Sequence, residues 1–195
     1  MKMFVVRAGE EGQNRKLNID RQISCVRFQV QIDLKHTHDI NTVIRALEDY
    51  VQSSDGNTLH PGYKTEAGRR IRAKELLTFA HDIKKGDLVF TPDSRPKFQD
   101  ILVGRVIEPY LYWPSKYMTA LPGADKDDDS FQILHVLENV AWHKRTLPRK
   151  EMPETICSPG HAKRGVDKRW TVFEIKEQES RRDLLDEMRK RHIEL

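Results

Sequence analysis

Cysteine is almost absent from this chain: Cys25 and Cys157 are the two in 195 residues. Such usage excludes a disulfide framework and fits a reducing compartment. Cys157 and His161 form a C-x3-H pair with no second pair nearby, whereas zinc takes about four ligands. No stretch approaches the ~20 apolar residues of a membrane span. The opening MKMFVVRAGEEG lacks the longer apolar segment and small-residue cleavage site of a secretory signal. These absences give the expectation of a soluble, cytoplasmic protein without a membrane partner. Internal repeats and low-complexity tracts are also missing. Aromatic residues are scarce, at 8% of the chain, so three of them within four positions (Tyr110, Tyr112 and Trp113) call for an account.

What is present is charge. Asp, Glu, Lys and Arg make up 33% of the residues, yet the net charge is only +4. Distribution says more than the total. Basic residues gather in RRIRAK (69–74), HKRTLPRK (143–150) and KRGVDKR (163–169), and acids in ADKDDD (124–129). Each basic run alone fits a solvated face; three on one globule point to a positive patch. The length suits one domain, or one domain with an appendage.

Periodicity predicts short strands at MFVVRA (3–8) and ISCVRFQVQIDL (23–34), with a Gly/Asn/Arg-rich turn between them. Asp39 caps a helix running through 51, whose stripe is Ile40, Val43, Ile44, Leu47, Tyr50 and Val51. After a loop over 53–62, a second helix spans Thr65 to Ile83, with Ala67, Ile71, Leu76, Phe79, Ala80 and Ile83 on its apolar side. Strands follow at 83–92 behind a turn containing Gly86, at 101–110, at 131–142 with a bulge near Glu138–Asn139, and at 170–176. The loop 114–130 is long enough to be functional. The tail 177–195 reads as a charged helix with a narrow stripe of Leu184, Leu185 and Met188. The order β-β-α-α-β-β-β-β has no βαβ alternation. It predicts an α+β fold: a mainly antiparallel, curved sheet or small barrel over residues 1–176, two helices packed on it, and a helical tail at 177–195.

Five stretches carry a resemblance: MFVVRAGEEG, HDIKKGDLVFTP, ILVGRVIEPYLY, His135-x4-Val140-Ala141-Trp142 followed by LPR, and WTVFEI. In that order, across residues 3–176, they resemble the N-terminal reader module of Mrr-type restriction endonucleases. The layout is similar to the wider PUA-like superfamily, which includes EVE, YTH and ASCH domains. The resemblance implies a β-barrel that reads nucleic acid, often by taking a modified base into an aromatic-lined pocket. It also implies that the turn after Arg7 borders that pocket. The chain departs from the module in two places: Phe28 stands in the region of a frequent Gly-Trp, and Ala141 replaces an acid. No nuclease segment follows 195, so the chain reads as an excised or free-standing reader. A fused or partner nuclease or effector, reached through the C-terminal helix, would act for it.

On this reading Gly104 allows a close backbone approach within a strand, and Pro109 breaks the ladder ahead of Tyr110, Tyr112 and Trp113. Rings at a barrel mouth could stack a flipped base. Trp142 precedes His143, Lys144 and Arg145, an aromatic beside cations as a base-stacking groove needs. Arg105, Arg145 and Arg149 are candidate phosphate contacts. Core packing is the competing account of each ring, and ordinary surface exposure of each cation. The function expected is DNA binding with recognition of modified, flipped bases, as the specificity part of a restriction or anti-phage defence system, without enzymatic activity or cofactor. One alternative is a PD-(D/E)xK-type nuclease built on Asp167, Glu174 and Lys176, whose carboxylates would hold Mg²⁺. RNA binding or an adaptor role is another.

Overall fold

Strand β1 (Met3–Val6) reads MFVV, and all four of its side chains are buried. A strand without polar alternation belongs at the centre of a sheet covered on both faces. The computed structural model describes residues 1–7, 15–26, 28, 30–53, 61–92, 100–113, 135–148 and 171–194. In it β1 pairs in parallel with β3 (Leu88–Pro92) and antiparallel with β7 (Val172–Glu174). The sheet continues from β3 to β4 (Asp100–Tyr112), then β5 (His135–Trp142), then β2 (Ser24–Val26), while the short β6 (Leu147–Pro148) also pairs with β4. The fold is α+β, with a seven-stranded mixed sheet.

Antiparallel pairs dominate as expected, with β1–β3 the parallel exception. The barrel expected from the sequence is not closed: β2 and β7 end the ladder and do not pair with each other among the described residues. The reason lies in 23–34, which alternates like a long strand but pairs only over Ser24–Val26. Beyond it Phe28, Val30 and Leu34 stay buried against helices. The alternation is met by burial of one side, without a ladder partner that could wrap the sheet round.

One face is covered by α2 (Ile40–Ser53) and α4 (Glu66–Leu77), preceded by the short α3 (Pro61–Lys64). Their apolar residues join Phe4, Val6, Val89, Val106 and Val140 in one core. Asp39 starts α2 as expected, its carboxylate accepting the Asn41 and Thr42 N–H groups at 3.1 Å each. The Thr42 hydroxyl, above all, holds that carboxyl below its ordinary range. Thr65 caps α4 by accepting from Gly68 N–H. A π-helical turn at Thr78–Asp82 extends α4. The extra residue in that turn lets Phe79, Ala80 and Ile83 stay buried, while Ala67, expected on the apolar side, is exposed.

The opposite face carries two coverings. Helix α1 (Arg15–Arg21), in the stretch expected to be a turn, sets Leu17 against Ile23, Cys25 and Val136. Helix α5 (Gln178–Lys190) buries Leu184 and Met188, and Ile193 follows, against Met3, Leu88, Ile101 and Leu147. The expected tail therefore closes a core of its own. It ends with His192 at φ 52°, Ile193 N–H donating to Met188 O, and His192 N–H donating to Arg189 O. That pair of bonds is a Schellman ending, with Met188 and Ile193 as its apolar contact.

The GD turn is held the same way, by local chemistry. Gly86 takes φ 88°, which an L side chain resists. The Asp87 carboxylate accepts Lys84 N–H at 3.0 Å and Lys2 N–H at 2.7 Å, tying the turn to the start of β1. The expected bulge lies opposite Val140 and Asn139, but the extra residue, Ile107, is on β4.

Candidate functional site

Beyond the bulge, β4 and β5 bring Tyr110, Tyr112 and His135 together, since Tyr112 faces His135 directly across the ladder. His135 is fully buried. Its Nε2 lies 3.0 Å from the carbonyl oxygen of Val30, an acceptor only, so Nε2 carries the hydrogen and donates it. Nδ1 then accepts from the Tyr110 hydroxyl at 2.9 Å, and that oxygen accepts Leu34 N–H at 3.2 Å. The chain of bonds pins segment 30–34 to the end of the β4–β5 ladder. The Tyr110 and His135 rings are stacked at 5.9 Å, and Tyr112 leans on His135 at 5.7 Å with a 46° tilt. Burial pushes the Tyr110 hydroxyl well above the ordinary phenol range, and raises Tyr112 less deeply set beside it.

Burial lowers His135 from 6.5 to about 4, against the opposing pull of the Val30 carbonyl and of Asp33. The neutral ring is the one that fits, so its contribution to stability is complete above pH 6.5 and is lost as the pH falls towards 4. At about 1.4 kcal/mol per unit the loss is on the order of 3 kcal/mol. Melting curves between pH 7 and 4.5 should show a steeper fall for the wild-type chain than for His135→Gln. Parallel curves would remove His135 as the cause.

Trp142 sits at the other end of the same strand pair, opposite Gly104. Its indole N–H donates to Ile23 O at 2.9 Å, and its ring packs on the helix-covered core. A Cβ built on Gly104 would stand 2.6 Å from Val140 Cγ1 and 2.7 Å from Trp142 Cε3. The glycine thus serves the approach of a side chain, and Trp142 is a packed ring with its polar atom satisfied. Gly104→Ala is expected to cost about 1–3 kcal/mol through this overpacking. A melting temperature within a degree of wild type would show that Trp142 yields freely.

The expected ring cluster is therefore split. Tyr110 and Tyr112 lie on the α2/α4 side, while Trp113 packs on the opposite side with Leu111, Ile23 and Cys25. Gly104, and Trp142 with it, stands eight residues along β4 from Tyr112, about 25 Å at ~3.3 Å per residue. Phe28, 2% exposed, is a core residue and presents no ring to solvent, and Tyr110 is buried in the same cluster. Tyr112 and Trp113 keep partial exposure.

The cations divide similarly. Arg7, half-buried, closes β1 with its N–H donating to Thr171 O. Arg105 faces Leu88 on β3 and Ala141 on β5 and is half-buried. Lys144 and Arg145 are exposed, in an excursion between β5 and β6 that leaves and rejoins the same edge of β4. In it Arg145 N–H donates to His143 Nδ1 at 3.0 Å, and the Arg145 guanidinium donates to Arg191 O at 2.6 Å. The run at 69–74 is largely spent internally: Arg69 meets Glu48 at 3.0 Å, Arg70 meets Glu66 at 4.0 Å, and Arg72 meets Glu75 at 2.6 Å. Arg149, Trp170, Cys157, Asp167 and the charged runs 124–129 and 163–169 lie outside the described residues.

Sequence reasoning missed two buried polar groups. One is His135, noted only as part of a motif. The other is the pair Arg72–Glu75 on α4. The Glu75 carboxylate accepts Thr171 N–H at 2.5 Å, and Arg72 also reaches the Thr171 hydroxyl at 3.3 Å. Burial raises the Glu75 carboxyl above its ordinary range, opposed by Arg72 and by the N–H groups of Thr171 and Val172. The i, i+3 spacing of Arg72 and Glu75 is the one signal that could have shown the pair. Of the nuclease alternative, Glu174 pairs with Phe4 in the ladder and lies 3.8 Å from Lys2 Nζ. Groups of three or more metal-capable side chains are absent among the described residues, as is any helix long and apolar enough to cross a membrane.

Comparison with protein-family models, with curated proteins and with solved structures finds no match to this chain.

Proposed function

We propose that the chain is a nucleic-acid-binding module that holds a modified or flipped base against a ring, and that it works as a reader without bond chemistry of its own. A nuclease or effector, fused or recruited, supplies any cleavage. The PUA-like reading draws support from the stretches that carry the resemblance, which run as β1, β3, β4, β5 and β7 of one sheet. The observation that carries the function is Tyr112: a partly buried ring at the end of β4 that keeps some exposure, held against a fully buried histidine that is itself fixed at both nitrogens. Such a ring is pre-set, so stacking a base on it orders little else. The Asp33 carboxylate, whose charge acts on the Tyr112 hydroxyl, is exposed and limits how closely a phosphate comes, which favours contact through the base.

Fluorescence titration of duplexes with cytosine, 5-methylcytosine or 5-hydroxymethylcytosine at low salt tests the reading. One modified duplex is expected to bind tightest; equal, negligible binding to all of them sinks it. Tyr112→Ala is expected to weaken that binding by about 1–3 kcal/mol, the range for one stacked base. Tyr112→Phe keeps the ring and should keep the affinity. Equal losses in both variants would assign the effect to the hydroxyl and reject stacking.

A further inference from the structure

The basic residues at 143–145 and those at 189–191 are remote in sequence and belong to different elements. The bond from the Arg145 guanidinium to Arg191 O joins them at 2.6 Å. Lys144, Arg145, Arg189 and Lys190 are exposed there and Arg191 half-exposed. Five cations stand against the three carboxylates of this end of the helix, Asp186, Glu187 and Glu194. Asp186 is engaged by Arg189 at 2.8 Å, and Glu187 by both Lys190 at 3.4 Å and Arg191 at 2.5 Å. Cations in a last helical turn complement the helix dipole, which accounts for Arg189, Lys190 and Arg191. It does not account for Lys144, which stands on the sheet excursion and has no carboxylate partner among the described residues. The excursion leaves an edge of β4 that is otherwise paired continuously, from Gly104–Trp142 to Ile101–Leu147. The residues it projects are the basic ones.

We propose that the His143–Arg145 excursion and the C-terminal turn of α5 form one surface that takes the phosphate backbone of duplex DNA. The inference rests on the reading of the chain as a nucleic-acid binder and adds where the backbone runs. Helix α5 then contributes to the binding surface in addition to covering the sheet. The occupant follows from the charge: cations that outnumber the carboxylates beside them at a sheet-and-helix junction match a polyanion, and each phosphate neutralised releases condensed counterions.

The test is anisotropy titration of the full chain with an unmodified 20-base-pair duplex over a range of NaCl. It compares wild type, Lys144→Gln/Lys190→Gln, and a control, Lys35→Gln/Lys64→Gln, whose exposed lysines flank α2 and α4. Each lost contact should lower the slope of log affinity against log salt by about 0.9, and affinity near 0.1 M salt by on the order of tenfold. The Lys144/Lys190 variant should therefore lose about two units of slope, and the control should match wild type. If wild type binds and the two variants weaken equally, the effect is net charge and the surface is rejected. If wild type binds and neither variant weakens, the backbone runs elsewhere, and the reader assignment stands without this surface. No binding of any duplex by wild type overturns both. Loss confined to phosphatidylserine vesicles, with duplex binding unchanged, reassigns the patch to a membrane and also overturns the proposal.

Discussion

Truncation after Lys176 is expected to abolish cooperative folding. From the sequence, α5 reads as a separable tail with three apolar residues. In the fold, Leu184 is fully buried and Met188 and Ile193 nearly so. They cover Met3, Leu88, Phe90, Ile101, Val103 and Leu147, which no other described element shields on that face. Burying side chains of this size is worth about 1.5–3 kcal/mol each. The three alone give roughly 5–9 kcal/mol, against a typical total stability of about 5–15 kcal/mol. The truncated chain should lose its unfolding transition, or aggregate through the uncovered sheet. A truncated protein that melts cooperatively within a few degrees of full length would reject this assignment. Leu184→Ala offers a graded form of the same test, with an expected loss of about 2–5 kcal/mol. A partner recruited through α5 would have to use its exposed side, since the apolar stripe is already occupied.

Glu75→Ala should be the most damaging single substitution on the other face, costing about 3–5 kcal/mol. Removing the carboxylate takes the 2.6 Å Glu75 contact from the Arg72 guanidinium, itself almost fully buried. The same change takes the acceptor from the Thr171 N–H, where β7 begins. Among the described residues β7 is an edge strand whose ladder partner is β1, so loss of this anchor should loosen 171–175 before the rest. For a chain of this length the melting temperature falls about 2–4 °C per kcal/mol, which predicts a drop of roughly 10 °C. Early hydrogen exchange at Thr171 and Val172 would locate it. A loss under 1 kcal/mol would mean that Arg72 reaches water and that the pair contributes little.

The strands and helices that could be read from the sequence were those whose local pattern and tertiary role agree. Asp39 and Thr65 cap the helices they precede, and the stripe Val43, Ile44, Leu47 is core. The β3 turn was legible because Gly86 and Asp87 act within a few residues of themselves. Helix α1 was not: Arg15–Arg21 has no apolar stripe, Ile19 is exposed, and its buried residue is Asn18. Strand β2 was overextended because Phe28 and Val30 alternate with polar residues for the sake of the helices above them. The candidate site was legible only as a list. Tyr110, Tyr112, Trp113 and Trp142 were chosen for residue type, but which side of the sheet each ring takes depends on the bulge at Ile107 and on pairing with β5. His135 could not be found as the support of Tyr112 without the register that sets them opposite each other.

The placement of β1 has a consequence for how the molecule is made. Met3 must pair with Leu88 on one side and Phe4 with Glu174 on the other. At about 5–20 residues per second of synthesis, the second neighbour leaves the ribosome about ten to thirty seconds after the first strand does. For that interval MFVV is an apolar ribbon with at least one edge unpaired, open to holdase chaperones and to misassociation. The chain's first strand is thus among the last to be enclosed, and its nascent form should depend on such help more than a protein with local pairing would.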